Sequence, residues 1–93
     1  MLYIRLCLDK PGMVELRERL RAEHRSYLAN QPLRLVQAGP LCVDDSNDTN
    51  LGSFMIVEAA NRDEVVRMHD NDPFSKAGLF AESIIHRWDK HIG

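Results

Sequence analysis

The sequence predicts an α+β domain whose elements run β-α-β-β-α-β around one antiparallel four-stranded sheet. Three observations carry this. Apolar residues alternate near both ends of the chain, over residues 2–8 and 83–88. A helical period fills residues 13–30, and proline- or glycine-bearing breaks separate the periodic stretches. The 93 residues fit one small domain spanning 1–93. A chain of that length buries roughly 60–68 % of its unfolded surface, enough for a modest core but not for a deep, many-layered site.

Leu2–Leu8 reads as the first strand, with Leu2, Ile4, Leu6 and Leu8 on one face and Tyr3, Arg5 and Cys7 on the other. Asp9-Lys10-Pro11-Gly12 is turn chemistry, and Pro11 suits the start of a helix. From Met13 to about Asn30, Met13, Leu16, Leu20 and Tyr27 gather in one stripe at about 100° per residue. Pro32 ends this helix. Leu33–Val43 is extended but broken by Ala38-Gly39-Pro40, which predicts an edge strand or a bulge, because proline cannot donate to a central ladder. Asp44–Asn50 (DDSNDTN) is a polar turn cluster without strand or helix content. Gly52-Ser53 opens a third strand, continuing to Ala59, that is apolar on both faces and therefore central. Asn61 followed by Glu64 resembles a capping box and starts a shorter helix, which Asp72-Pro73 ends. After a turn at Ser75–Gly78, the last strand is Ser83–Trp88, with Ile84, His86 and Trp88 opposite Ser83, Ile85 and Arg87.

This order is the split-βαβ arrangement of ferredoxin-like domains. Two helices cover one face of such a sheet. The other face is expected to carry Tyr3, Ile85 and one alternating set of residues 54–57. Exposed apolar patches of that size are unusual on a monomer, so a homodimer packed sheet to sheet about a twofold axis is expected.

Composition excludes several classes. A net charge of −2 speaks against a nucleic-acid partner. No apolar run is long enough to span a membrane, and the N-terminus lacks the basic region of a secretory signal, so a cytoplasmic location is expected. Cys7 and Cys42 fit no metal or redox spacing and read as small buried hydrophobes without a disulfide. Neither His69 with Asp70 and Asp72, nor His86 with Asp89 and His91, has convincing ligand spacing, so no metal is expected. With no phosphate loop or nucleophile elbow, no cofactor is expected either.

His24 is the most informative residue. It lies about 80° round the helix from Leu16, inside the apolar stripe. It is either a core histidine satisfied by a backbone carbonyl or a general acid or base lining a pocket. Asp72, at a forced helix end, could orient an imidazole, or it could be a plain turn residue. Arg17, Arg21 and Arg25 form an i, i+4, i+8 row whose favoured reading is a solvated face. Should a pocket open towards that row, one of them, with Arg25 the weaker geometric candidate, could hold an anionic substrate.

The order His24, Ala38-Gly39-Pro40, the Asp-rich loop, Gly52-Ser53, Asp72-Pro73-Phe74, Ala77-Gly78-Leu79 and Trp88 resembles the YciI-like (YCII-related) family over essentially the whole chain. The resemblance implies a dimeric α+β barrel with His24 and Asp72 as an active-site pair. Gly39, Pro40 and Ser53 would line the same cleft, and Phe74 and Arg25 complete the expected substrate-binding set. It also implies acid–base elimination or isomerisation of small ring compounds, of dehydrochlorinase or muconolactone-isomerase type. The arginine-rich first helix and the extended Asp44–Asn50 loop depart from the family pattern. The expected function is a cofactor-free lyase or isomerase acting on a small molecule; the alternative is a non-catalytic dimeric module that binds a small ligand or a partner.

Overall fold

The chain forms four strands and three helices, described over residues 1–93 in a computed structural model. They are β1 (Leu2–Asp9), α1 (Val14–Asn30), β2 (Arg34–Asp44), β3 (Asn47–Glu58), α2 (Arg62–Asn71), α3 (Pro73–Lys76) and β4 (Phe80–Trp88). The sheet order is β2-β3-β1-β4 and every pairing is antiparallel. This is the expected ferredoxin-like βαββαβ fold. β3 lies inside the sheet and β2, which contains Pro40, forms an edge with three register shifts. No helix is long and apolar enough to cross a membrane.

Local chemistry sets most boundaries. The turn before α1 uses Gly12 at φ +75°, and the helix starts at Val14, so Pro11 belongs to the turn and not to the helix. The Gln31 side chain accepts from the Leu33 N–H and donates to the Leu33 carbonyl, fixing the break around Pro32. Asn61 Oδ1 accepts the Glu64 N–H at 3.0 Å and caps α2.

Three expected boundaries change. The Asp44–Asn50 cluster is no loop: Asp45 and Ser46 alone turn, and Asn47–Asn50 already belong to β3. Asp44 and Asn47 accept backbone N–H groups two residues on, so polar side chains that usually mark a loop here shape a tight hairpin. The stretch after Asp72 is a helical turn, α3, with Pro73 at its first position. The last strand begins at Phe80 rather than Ser83.

The two faces of the sheet are exchanged relative to expectation. Tyr3, Arg5, Cys7, Met55, Val57 and Ile85 are buried on one face, and the register places them side by side. Tyr3, Met55, Val57 and Ile85 form the core with Val65 and Met68 of α2. The uncovered face instead carries Leu2, Ile4, Leu6 and Leu8 beside Phe54, Ile56, Ile84 and Trp88. Ile84 and Trp88 are 41 % and 36 % exposed. The physical reason is Arg5, whose charge marks its face as wet in isolation but whose side chain is completely buried against a carboxylate. Cys42 is exposed, because it lies on the edge strand, whereas Cys7 is buried as expected. Burial pushes the Cys7 thiol above its ordinary pKa.

Candidate functional site

Along the covered face of the sheet, the apolar core gives way to polar residues at Arg5 and Ser53. Charges placed there must be paired to survive burial. Asp72 is fully buried at the junction of α2 and α3. Its Oδ1 accepts the Phe74 N–H at 3.0 Å, which caps α3, and lies 2.7 Å from His24 Nδ1. Its Oδ2 accepts from Arg5 Nη1 at 3.0 Å. Burial alone would raise the Asp72 pKa. The hydrogen bond from His24 and the Arg5 charge outweigh it and hold the carboxyl below its ordinary 3.8.

This arrangement fixes a tautomer. An ionised carboxylate only accepts, so His24 Nδ1 carries the proton, and Nε2 of the neutral ring is the basic nitrogen. The ring is 11 % exposed and stacks on Phe74, with centroids 3.9 Å apart and planes 10° from parallel. On Phe74 also sits Arg17, its Cζ 4.8 Å from the ring centroid. The ring orientation is therefore set by packing as well as by the carboxylate.

His24 lines a cleft of about 200 Å³ between α1 and the sheet. Gly39, Pro40, Ser53, Phe74 and Arg25, all singled out from the sequence, line the same cleft. Asp72 stands behind His24 and does not line it. Gly39 and Ser53 lie within the β2–β3 ladder, and Ser53 Oγ accepts from Arg17 Nη2 at 2.9 Å.

The arginine row departs from its expected role as a solvated face. Arg17 is buried, and its Nε and Nη2 grip Asp9 bidentately at 2.6 and 2.8 Å. Arg21 reaches Asn50 Oδ1 at 3.1 Å, tying α1 to the hairpin arm. Arg25 alone of the row is exposed and has no ion-pair partner. Local pattern gives Arg5 no role in the site. Its alternation with Tyr3 and Cys7 was visible, but its partner stands 67 positions away.

A model of the YCII-related domain family matches residues 1–89. The proteins named YciI from Escherichia coli O6:H1 and Shigella flexneri are each 34 % identical to it over 86 residues, covering 86 % of this chain and 88 % of theirs. Among solved structures, the 5-chloro-2-hydroxyhydroquinone dehydrochlorinase TftG from Burkholderia phenoliruptrix, in complex with 2,5-dihydroxybenzoquinone, is 38 % identical with a TM-score of 0.87. That match covers 98 % of this chain and 96 % of TftG. The cofactor-independent oxygenase SnoaB from Streptomyces nogalater shares the fold, with a TM-score of 0.55 at 15 % identity and coverage of 98 % and 93 %. On the match across residues 1–89 and the likeness to both YciI proteins, the chain belongs to the YCII-related domain family.

Proposed function

We propose that the protein is an acid–base enzyme of lyase or isomerase type that acts on small single-ring compounds without a cofactor. The observation that carries this is His24 Nδ1 held 2.7 Å from a fully buried carboxylate, with Nε2 left to a small cleft. In the reaction His24 Nε2 takes a proton from a substrate hydroxyl or carbon. Asp72 keeps the ring in the tautomer that can accept it and stabilises the imidazolium that forms. Arginines of the cleft steady the negative charge that develops on the substrate. For 5-chloro-2-hydroxyhydroquinone, the chlorine-bearing ring carbon gains a proton as a ring hydroxyl loses one, giving the keto tautomer. A second hydroxyl proton and chloride with its bonding electron pair then leave, so the net loss of HCl gives a hydroxyquinone and needs no external oxidant. TftG, which is named for a reaction of this class, supports that choice of first substrate.

The test is release of chloride and growth of quinone absorbance from 5-chloro-2-hydroxyhydroquinone and related chlorinated hydroquinones. His24→Gln, which keeps the volume roughly constant, is expected to lower kcat by about 10²–10⁴-fold while the circular dichroism spectrum stays unchanged. Retention of the wild-type rate by that variant would sink the assignment. The open face with Leu6, Ile84 and Trp88 supports a homodimer in the same reading. Light scattering should give the mass of two chains, and of one chain for Ile84→Glu; a monomeric wild type would remove the dimer.

A further inference from the structure

The cleft beside His24 is lined by Arg5, Arg17, Arg21 and Arg25 and by no aspartate or glutamate. The acids that balance these arginines all lie outside its lining. Asp72 pairs with Arg5, Asp9 with Arg17 and Glu18 with Arg21. The cleft thus turns a positive surface towards whatever enters it, in a small space where charges are poorly screened.

Arg5 adds a more specific signal. It is fully buried and donates from Nη1 to Asp72, but its Nε and Nη2 have no partner in the protein. Those two N–H groups form one edge of the guanidinium. Arg17 uses the same edge, Nε with Nη2, to grip both oxygens of Asp9. Leaving two buried donors unmatched is costly, and buried polar groups are nearly always matched. Two parallel donors on a rigid fork fit two neighbouring oxygens that share a negative charge.

We propose that the substrate enters as an anion and that Arg5, through its Nε/Nη2 edge, is its specificity-determining contact, with Arg25 at the exposed side of the cleft adding attraction. The substrate class is a planar single-ring acid carrying two adjacent oxygens. These are either a carboxylate or an ionised ring hydroxyl beside a carbonyl. The cleft, at about 200 Å³, lies below the roughly 300–1,000 Å³ of drug-sized sites and suits one ring. This inference rests on the catalytic reading for the word substrate, but its test reads binding alone, so either one can fail without the other.

Calorimetric titration of the protein would use benzoate for the carboxylate and tropolonate for the ionised hydroxyl. Benzamide serves as the uncharged counterpart of benzoate. At least one anion is expected to bind about 10-fold or more tightly than benzamide, and which of them does so names the source of the charge. Arg5→Lys keeps a cation for Asp72 but loses the second pair of donors, and should weaken that anion by about 10–100-fold. Arg25→Gln, at an exposed position, should weaken it by a few-fold, with the difference shrinking as salt rises. Equal binding of benzoate, tropolonate and benzamide would overturn the proposal. So would an unchanged anion affinity in folded Arg5→Lys. If that variant does not fold, an anion affinity insensitive both to Arg25→Gln and to salt overturns it equally.

Discussion

Asp72→Asn tests the centre of the molecule most directly. Asp72 and Arg5 are both 0 % exposed in their side chains, and one contact at 3.0 Å joins them. The substitution keeps the shape and one oxygen, so α3 can retain its cap, since asparagine caps about as well as aspartate. What it removes is the charge that balances Arg5. It also forces the new amide group to face a donor, either Arg5 Nη1 or the pair His24 Nδ1 and Phe74 N–H. Breaking a buried ion pair from one side costs about 3–5 kcal/mol. For a domain of this length each kcal/mol moves Tm by about 4–8 °C, so Asp72→Asn should lower Tm by about 12–40 °C. Urea unfolding at pH 7 gives the free energy, and an unchanged m-value would show that the folded state is what lost stability. Adding Arg5→Met should recover much of the loss, because an apolar pair of similar volume leaves no charge uncompensated. The sign of the pH dependence follows from the same contact. The folded Asp72 pKa lies below 3.8, so the unfolded chain takes up the proton first as pH falls. The contribution is therefore complete above about pH 4–5 and disappears as pH drops through the lowered value, a loss that Asp72→Asn should not show. A variant within about 1 kcal/mol of wild type at pH 7, or a double variant no more stable than Asp72→Asn, would refute this reasoning.

Two further outcomes are expected from elements outside the His24–Asp72 pair. Burial and the Arg5 charge lower the His69 pKa from 6.5, against the opposing pull of Asp70 and Asp72. The unfolded state therefore binds more protons, and stability should begin to fall as pH drops below about 6.5; His69→Gln should flatten that limb in urea titrations, and an unaltered limb would contradict it. At Gly52 a Cβ would sit 2.1 Å from the Cys7 carbonyl oxygen on the neighbouring strand. Gly52→Ala must therefore part β1 from β3 or shift the register, costing about 1–3 kcal/mol or more, and a wild-type urea midpoint would show that the strands tolerate the methyl.

The likeness to TftG and to the YciI proteins bears on how far a small fold can be specialised. The covered face of the sheet is divided along its length. Tyr3, Met55 and Val57 pack against α2 at one end. At the other, Arg5 with Asp72 and Arg17 with Ser53 are buried as two hydrogen-bonded pairs. In a chain of 93 residues that division spends core volume on charge, so stability and the cleft draw on the same residues.

The order of the four strands and two longer helices is legible in the sequence, because strand and helix periods are local and prolines act on their own neighbours. His24 also stood out locally, as an imidazole inside an apolar helical stripe. What sequence could not decide was which side of β1 faces the helices. Alternation separates Leu2, Ile4, Leu6 and Leu8 from Tyr3, Arg5 and Cys7, but it does not say which set is covered, and a charged residue tips the choice outward. Only the tertiary fold brings Asp72 across 67 positions to neutralise Arg5 and across 48 to hold His24. Arg17 likewise looked solvated until Asp9 and Ser53 closed around it. A charge is buried or exposed according to its partner, and these partners are distant in the chain. Local pattern specifies the four strands, the two longer helices and the histidine, whereas the buried face of the sheet and the positive lining of the cleft follow from contacts between residues far apart in the chain.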